Sequence, residues 1–143
     1  MNWAFGFRTA NTRHPLYFIK AQHEQQSTEK IVYYTAKLVV IYFPKLNEQK
    51  HYLEHEREIL SLAVSSTNLI ASGEYGNKPA IHIWDYNKLE SINIIKGIHD
   101  NGVMYMEFLY DDNFLATCSW RKNSQVIVYN IHDSTAVLSI EVK

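Results

Sequence analysis

Asn68-Leu69-Ile70-Ala71-Ser72-Gly73 and, a few residues on, Ala80-Ile81-His82-Ile83-Trp84-Asp85 decide how this chain is read. Each is a short apolar run, and the turn signal Asn77-Lys78-Pro79 separates them, which is the pattern of adjacent strands. Both runs return 45 positions later, as Asn113-Phe114-Leu115-Ala116-Thr117-Cys118 and Gln125-Val126-Ile127-Val128-Tyr129-Asn130. The same shift carries Ile59-Leu60-Ser61-Leu62-Ala63-Val64 onto Met104-Tyr105-Met106-Glu107-Phe108-Leu109, and His55 meets His99 at an offset of 44. A weaker copy precedes them. Leu38-Val39-Val40-Ile41-Tyr42-Phe43 places Tyr42 42 residues before Trp84, and Leu16–Ile19 and Lys30–Thr35 run ahead of it.

A period near 45 residues is that of a four-stranded propeller blade. The expected fold is therefore all-β, with twelve short strands in three blades at about 15–54, 55–98 and 99–143. Residues 1–14 form a hydrophobic lead-in, and 21–29 a polar surface loop. One stretch reads differently on its own. From Asn47 to Val64, Tyr52, Leu53, Ile59, Leu60, Ala63 and Val64 make an apolar stripe at helical spacing. The repeat instead requires strand, turn and strand there, with Glu54 to Glu58 as the turn. A period held over two whole units outweighs one window.

Composition narrows the function classes. The chain has 143 residues, with 14 Lys plus Arg against 15 Asp plus Glu. That balance argues against nucleic-acid binding and against docking on an anionic membrane. The longest apolar run, Leu38 to Phe43, is far short of the roughly 20 residues of a membrane span. The N-terminus carries no secretory pattern. A single cysteine, Cys118, excludes an internal disulfide and a multi-cysteine zinc module and suits a reducing compartment. Ten Tyr, six Phe and three Trp favour pleated, half-buried surfaces. Five Gly and three Pro are few for a fold of many tight turns.

The residues also suggest a family. Ile81-His82-Ile83-Trp84-Asp85 resembles the end of a WD repeat, and Leu53-Glu54-His55 its Gly-His start with Glu in place of Gly. Phe5-Gly6-Phe7-Arg8, Leu16-Tyr17-Phe18, Ile31-Val32-Tyr33-Tyr34 and Val40-Ile41-Tyr42 are similar to the HELP motif leading into the first propeller of echinoderm microtubule-associated protein-like (EML) proteins. Ile70 to Asp85 is similar to that family's second unit. The resemblance implies a non-enzymatic WD-repeat scaffold of the cytoplasmic cytoskeleton or cilium. Its partners would be tubulin, microtubules or axonemal proteins within a larger assembly, and it would need no cofactor. A general WD adaptor without a microtubule link is the alternative. The resemblance further implies a buried hydrogen-bond chain through each blade: His55, Ser72 and Trp84 in one, and His99, Thr117 and Tyr129 in the next. The Asp that would complete each chain in the following turn is missing, because Lys78-Pro79 stands in its place.

Catalytic chemistry is sparse. His51-Tyr52-Leu53-Glu54-His55 spells H-x-x-E-H, which on a helix would set His51 and His55 around zinc with Glu54 as base. That zinc hydrolase reading needs the helix that the repeat denies. The chain has no phosphate-binding glycine loop and no nucleophile elbow. No catalytic, cofactor or metal residue is therefore expected. Trp120-Arg121-Lys122 is an aromatic-basic turn that could contact an acidic partner.

Three blades cannot close a ring, since closed propellers use about four to eight. Two apolar faces are expected to stay open, near Tyr17, Tyr33 and Tyr42 at one end and near Tyr105, Phe108 and Val128 at the other. The strand Ala136–Val142 would be a free edge. The expectation is a fragment of a longer propeller, or one member of a larger assembly.

Overall fold

The computed structural model describes residues 3–4, 6, 16–20, 29–97, 99–119 and 124–142. These residues are all-β, in three antiparallel four-stranded sheets. The first holds β1 (Leu16–Ile19), β2 (Lys30–Thr35), β3 (Leu38–Phe43) and β4 (Glu48–Tyr52). The second holds β5 (Ile59–Val64), β6 (Leu69–Glu74), β7 (Ala80–Asp85) and β8 (Glu90–Lys96). The third holds β9 (Val103–Leu109), β10 (Phe114–Ser119), β11 (Ser124–Asn130) and β12 (Ala136–Val142). Within each sheet consecutive strands are neighbours. This is the architecture of partial propeller blades, as the 45-residue period requires. The window from Asn47 to Val64 is β4, a loop and β5, with no helix.

Packing follows from the order of the sheets. Val32, Tyr34, Val39, Ile41 and Tyr52 of the first sheet meet Ile59, Leu62, Ile70 and Trp84 of the second. The other face of the second sheet, with Ala63, Ala71, Ile81 and Ile83, meets Val103, Met106, Leu115, Ile127 and Tyr129 of the third. The second sheet is thus covered on both faces, which is why β5, β6 and β7 are buried almost throughout. Buried hydroxyls stitch the layers together. Tyr34 donates to the Leu60 carbonyl at 2.6 Å, and Ser61 to the Val103 carbonyl at 2.6 Å. Gly73 is required where β6 meets the third sheet. A Cβ there would lie 2.7 Å from Val103 Cβ and 2.8 Å from Ser61 Oγ.

The scarcity of glycine has a structural answer. Ala36, Asn47, Lys78, Leu89, Asp111, Asp112 and Ser134 occupy turns at positive φ. These turns accept the left-handed cost in ordinary residues, which the flanking ladders over-determine.

The open faces differ from the sequence expectation at two residues. Tyr17 lies against the first core and donates its hydroxyl to the Leu62 carbonyl at 2.7 Å. Burial pushes that phenol up to about 12, with Glu107 adding to the shift. Phe108 packs against the second core rather than facing outward. Both errors come from pleat parity. Phe108 shares its side with the buried Met106, and a shift of one residue exchanges the faces of a strand. Leu16 and Phe18 are 46% and 49% exposed on the outer side of β1. Tyr42, on the same side of β3, is covered by Trp3, whose ring meets it edge-on at 6.1 Å. On the third sheet the outer side presents Tyr105, Cys118, Val126, Val128, Leu138 and Ile140, which pair across β9 to β12.

Candidate functional site

The loop between β4 and β5 carries His55 down onto the second sheet. Its Nε2 lies 2.6 Å from Ser72 Oγ on β6, and Trp84 on β7 donates its indole N–H to the same oxygen at 3.0 Å. On the other side of the ring, His55 Nδ1 lies 3.1 Å from Glu74 Oε1. Glu74 accepts further bonds from the backbone N–H groups of Glu56, Arg57 and Ala80. The proton order then fixes itself. The Glu74 carboxylate only accepts, so His55 Nδ1 donates; Nε2 accepts from the Ser72 hydroxyl in the neutral ring and donates to it in the charged one. Every polar atom of this chain has a partner.

Glu74 is the residue that sequence reasoning missed. It supplies the carboxylate expected from an Asp in the turn, reaching it from the end of β6. Burial alone would raise its carboxyl. The His55 hydrogen bond, the Ala80 N–H, the His55 charge and the Arg57 N–H outweigh burial and hold it down at about 2.

His82 joins the cluster from β7. Its ring lies 3.9 Å from that of His55, tilted by 34°. Its Nδ1 is 2.9 Å from the Tyr52 hydroxyl, which donates to Glu54 Oε2 at 3.0 Å. Tyr52 also stacks on Trp84, 4.2 Å apart and 2° from parallel. Burial, then the neighbouring His55, lowers His82 to about 4.

His55, Glu74 and His82 offer ligand atoms within 4.8 Å of one another. Their geometry favours a hydrogen-bond chain over an ion. Both nitrogens of His55 and Nδ1 of His82 are already hydrogen-bonded, as is the Glu74 carboxylate. The H-x-x-E-H triplet is not assembled as a ligand set. His51 sits on β4 against Gln49 at 3.1 Å, and Glu54 faces Tyr52.

The third sheet carries the same plan with fewer bonds. His99 Nε2 lies 2.6 Å from Thr117 Oγ1. The Thr117 hydroxyl donates to the Ile127 carbonyl at 3.2 Å, so Nε2 must carry the proton that it gives to Thr117. The position of Glu74 is taken by Ser119, which accepts the Gln125 N–H at 3.0 Å but does not reach His99. His99 Nδ1 and the Tyr129 hydroxyl are buried without a hydrogen-bond partner among the described residues. On the first sheet the register puts Tyr33 and Tyr42 where Ser72 and Trp84 stand. No such chain forms there, and Gln49 instead bonds both Tyr33 and the Ala4 backbone. Trp120, Arg121 and Lys122 lie outside the described residues, as do Phe5, Phe7 and Arg8.

Three four-stranded antiparallel sheets, with His-Ser-Trp threaded through one and His-Thr-Tyr through the next, define a partial WD-type propeller. The proteins this chain matches are, by name, echinoderm microtubule-associated proteins and their relatives. It is 29% identical over 116 residues to the 77 kDa echinoderm microtubule-associated protein of Lytechinus variegatus, covering 76% of this chain and 16% of that one. It is 25% identical over 150 residues to echinoderm microtubule-associated protein-like 2 of Rattus norvegicus, covering 89% and 22%. It is 28% identical over 128 residues to echinoderm microtubule-associated protein-like 4 of Homo sapiens, covering 82% and 12%. The chain's curated homologues are thus EML-family proteins, as its motifs implied, and the matches span about a fifth or less of those relatives' length. No protein-family model matches the chain.

Proposed function

We propose that this chain is a non-enzymatic WD-repeat scaffold that associates with microtubules in the cytoplasmic cytoskeleton. The observation that carries this reading is the similarity over 76–89% of the chain to proteins whose names state microtubule association. The buried chain through His55, Ser72 and Trp84 holds a blade rigid rather than performing chemistry, and His99, Thr117 and Tyr129 do the same less completely. Trp3 and Ala4, the described part of the HELP-like lead-in, contact Tyr42 and Gln49 of the first sheet.

The outer side of the third sheet supports a larger assembly. Tyr105, Leu138 and Ile140 are 38%, 48% and 48% exposed beside half-buried Val126 and Val128. A contiguous apolar sheet face of this kind marks a contact surface. A further blade, in the same chain or another, is the natural cover. Axonemal microtubules are the special case of the same reading.

Co-sedimentation with polymerised tubulin tests it. The chain, expressed with its native flanking sequence, should pellet with microtubules in a saturable way and stay in the supernatant without them. Failure to pellet at micromolar tubulin would leave a WD adaptor with another partner. Growth of a tagged copy in ciliated cells tests the axonemal case by where the tag concentrates.

A further inference from the structure

Between the first two sheets lies a groove of ≈ 760 Å³, built from β1, β2, β3, β4 and the turns that follow β5 and β7. Among the described residues its cations are Lys20, Lys30 and Lys50, and no Asp or Glu lines it. Two of these ammonium groups converge on one ring: Lys30 Nζ and Lys50 Nζ each lie 5.7 Å from the centroid of Phe43. Lys30 is also held 4.5 Å over Tyr86 and donates to Asn87 Oδ1 at 3.2 Å. It is half-buried, and burial and the nearby Lys50 both disfavour its charge. The nearest opposing charge, Asp85, is engaged with the N–H groups of Asn87 and Lys88 in its own turn. Two like charges over one aromatic ring, with no carboxylate among the described lining residues, leave a place for an anion from outside.

We propose that this groove binds an extended, glutamate-rich peptide segment. The ammonium groups are point charges suited to carboxylates. The rings of Phe43 and Tyr86 offer an apolar floor for the methylenes of Glu side chains. Lysine ammonium groups also bind phosphate as point charges, and inorganic phosphate is therefore the competing ligand in the test. The inference does not depend on microtubule association, because any acidic segment of matching shape would serve.

The test is fluorescence anisotropy with the full chain and two labelled peptides, one of alternating Glu and Ser and one with Gln in place of every Glu. The Glu peptide should bind, with affinity falling as salt rises, and the Gln peptide should not. Lys50→Gln, on the exposed rim, should weaken binding about fivefold, and the double variant Lys30→Gln/Lys50→Gln further. Lys37→Gln, on the β2–β3 turn outside the groove, should change nothing. Circular dichroism checks that each variant keeps its strands, and Lys50→Gln alone decides the matter if Lys30→Gln does not fold. Equal binding of the two peptides, or equal loss with Lys37→Gln, would overturn the proposal. So would displacement by inorganic phosphate beyond that by chloride of the same ionic strength.

Discussion

The second and third sheets carry the same hydrogen-bond plan in two states of completion. In the second, His55 is held at both nitrogens, by Ser72 and Glu74, and Trp84 closes the chain. In the third, His99 is held at one nitrogen, and the Tyr129 hydroxyl has no hydrogen-bond partner among the described residues. Backbone and burial are nearly the same: Trp84 and Tyr129 are both fully buried, as are Ser72 and Thr117 to within 1%. The difference lies in two side chains, Glu74 against Ser119 and Trp84 against Tyr129. A buried polar network is favourable only when every member is satisfied. The blades should therefore respond to substitution in opposite ways.

The largest effect is expected at Trp84. It is fully buried, stacks on Tyr52, and spans the contact between the first two sheets. Trp84→Ala should cost about 3–5 kcal/mol, the range of large aromatic truncations in cores, measured by urea denaturation. A loss below about 1 kcal/mol, typical of surface sites, would mean that the second sheet does not depend on this chain.

Acid should also separate the blades. The folded Glu74 is held at about 2, below its ordinary 4.5. Its contribution is therefore present above the unfolded value and is lost as pH falls from about 4.5 towards 2. His82, lowered from 6.5 to about 4, acts in an earlier window. Below 6.5 the unfolded chain takes up its proton and the folded one does not, so stability falls between about 6.5 and 4. Burial lowers His99 as well, against the pull of Asp100, and it adds to this earlier loss. Glu74→Gln should remove the later step, worth about 2 kcal/mol after screening, and leave the earlier one. An unchanged profile below pH 4.5 would break the assignment of the depressed carboxyl to Glu74.

How much of this was legible in the sequence follows from what the repeat could align. The 45-residue offset set Ser72 on Thr117 and Trp84 on Tyr129, and the 44-residue offset set His55 on His99. Those residues fall on matching strands and loops. Glu74 was hidden by the same device, because its counterpart is Ser119 and nothing repeats there. The search for an Asp in the turn at Lys78-Pro79 looked four residues too late, since the longer Glu side chain reaches His55 from the strand end. A comparison of Glu74 with the residues able to meet a His at both nitrogens would have found it. His82 escaped because a residue between two isoleucines reads as the outer side of a half-exposed strand. In a sheet covered on both faces there is no outer side, and His82 is only 4% exposed. The Lys30–Phe43–Lys50 groove was invisible for another reason. It joins three strands, and charge balance over the whole chain conceals a local patch.

Completing the weaker chain should raise stability. Ser119→Glu would place a carboxylate where Glu74 stands in the second sheet, within the pattern that already receives the Gln125 N–H. If it meets His99 Nδ1, His99 must move its proton from Nε2 to Nδ1, and the buried unpaired nitrogen then gains a charge-assisted partner. Thr117 would then donate to His99 rather than to the Ile127 carbonyl. The expected gain is about 1 kcal/mol in urea denaturation, along with a new acid-sensitive step below pH 4.5. Loss of stability would show that the two blades differ in backbone as well as in side chain.

The smallest expected effect is the sharpest test of the comparison. Among the described residues the Tyr129 hydroxyl is buried without a hydrogen-bond partner, and burial pushes its phenol upward from 10. A buried donor with no acceptor costs about 1–3 kcal/mol relative to a satisfied one, while the ring itself fills the second core. Tyr129→Phe keeps the ring and removes the cost, so it should leave stability unchanged or raise it by up to about 1 kcal/mol. The matching deletion in the second sheet, Trp84→Phe, removes both ring volume and a bond to Ser72, and should lower stability. The sign of the two changes carries the argument more securely than their size. If Tyr129→Phe instead lost more than about 1 kcal/mol, its hydroxyl would have to be bonded, through a buried water. The third sheet would then be completed by solvent where the second is completed by Glu74.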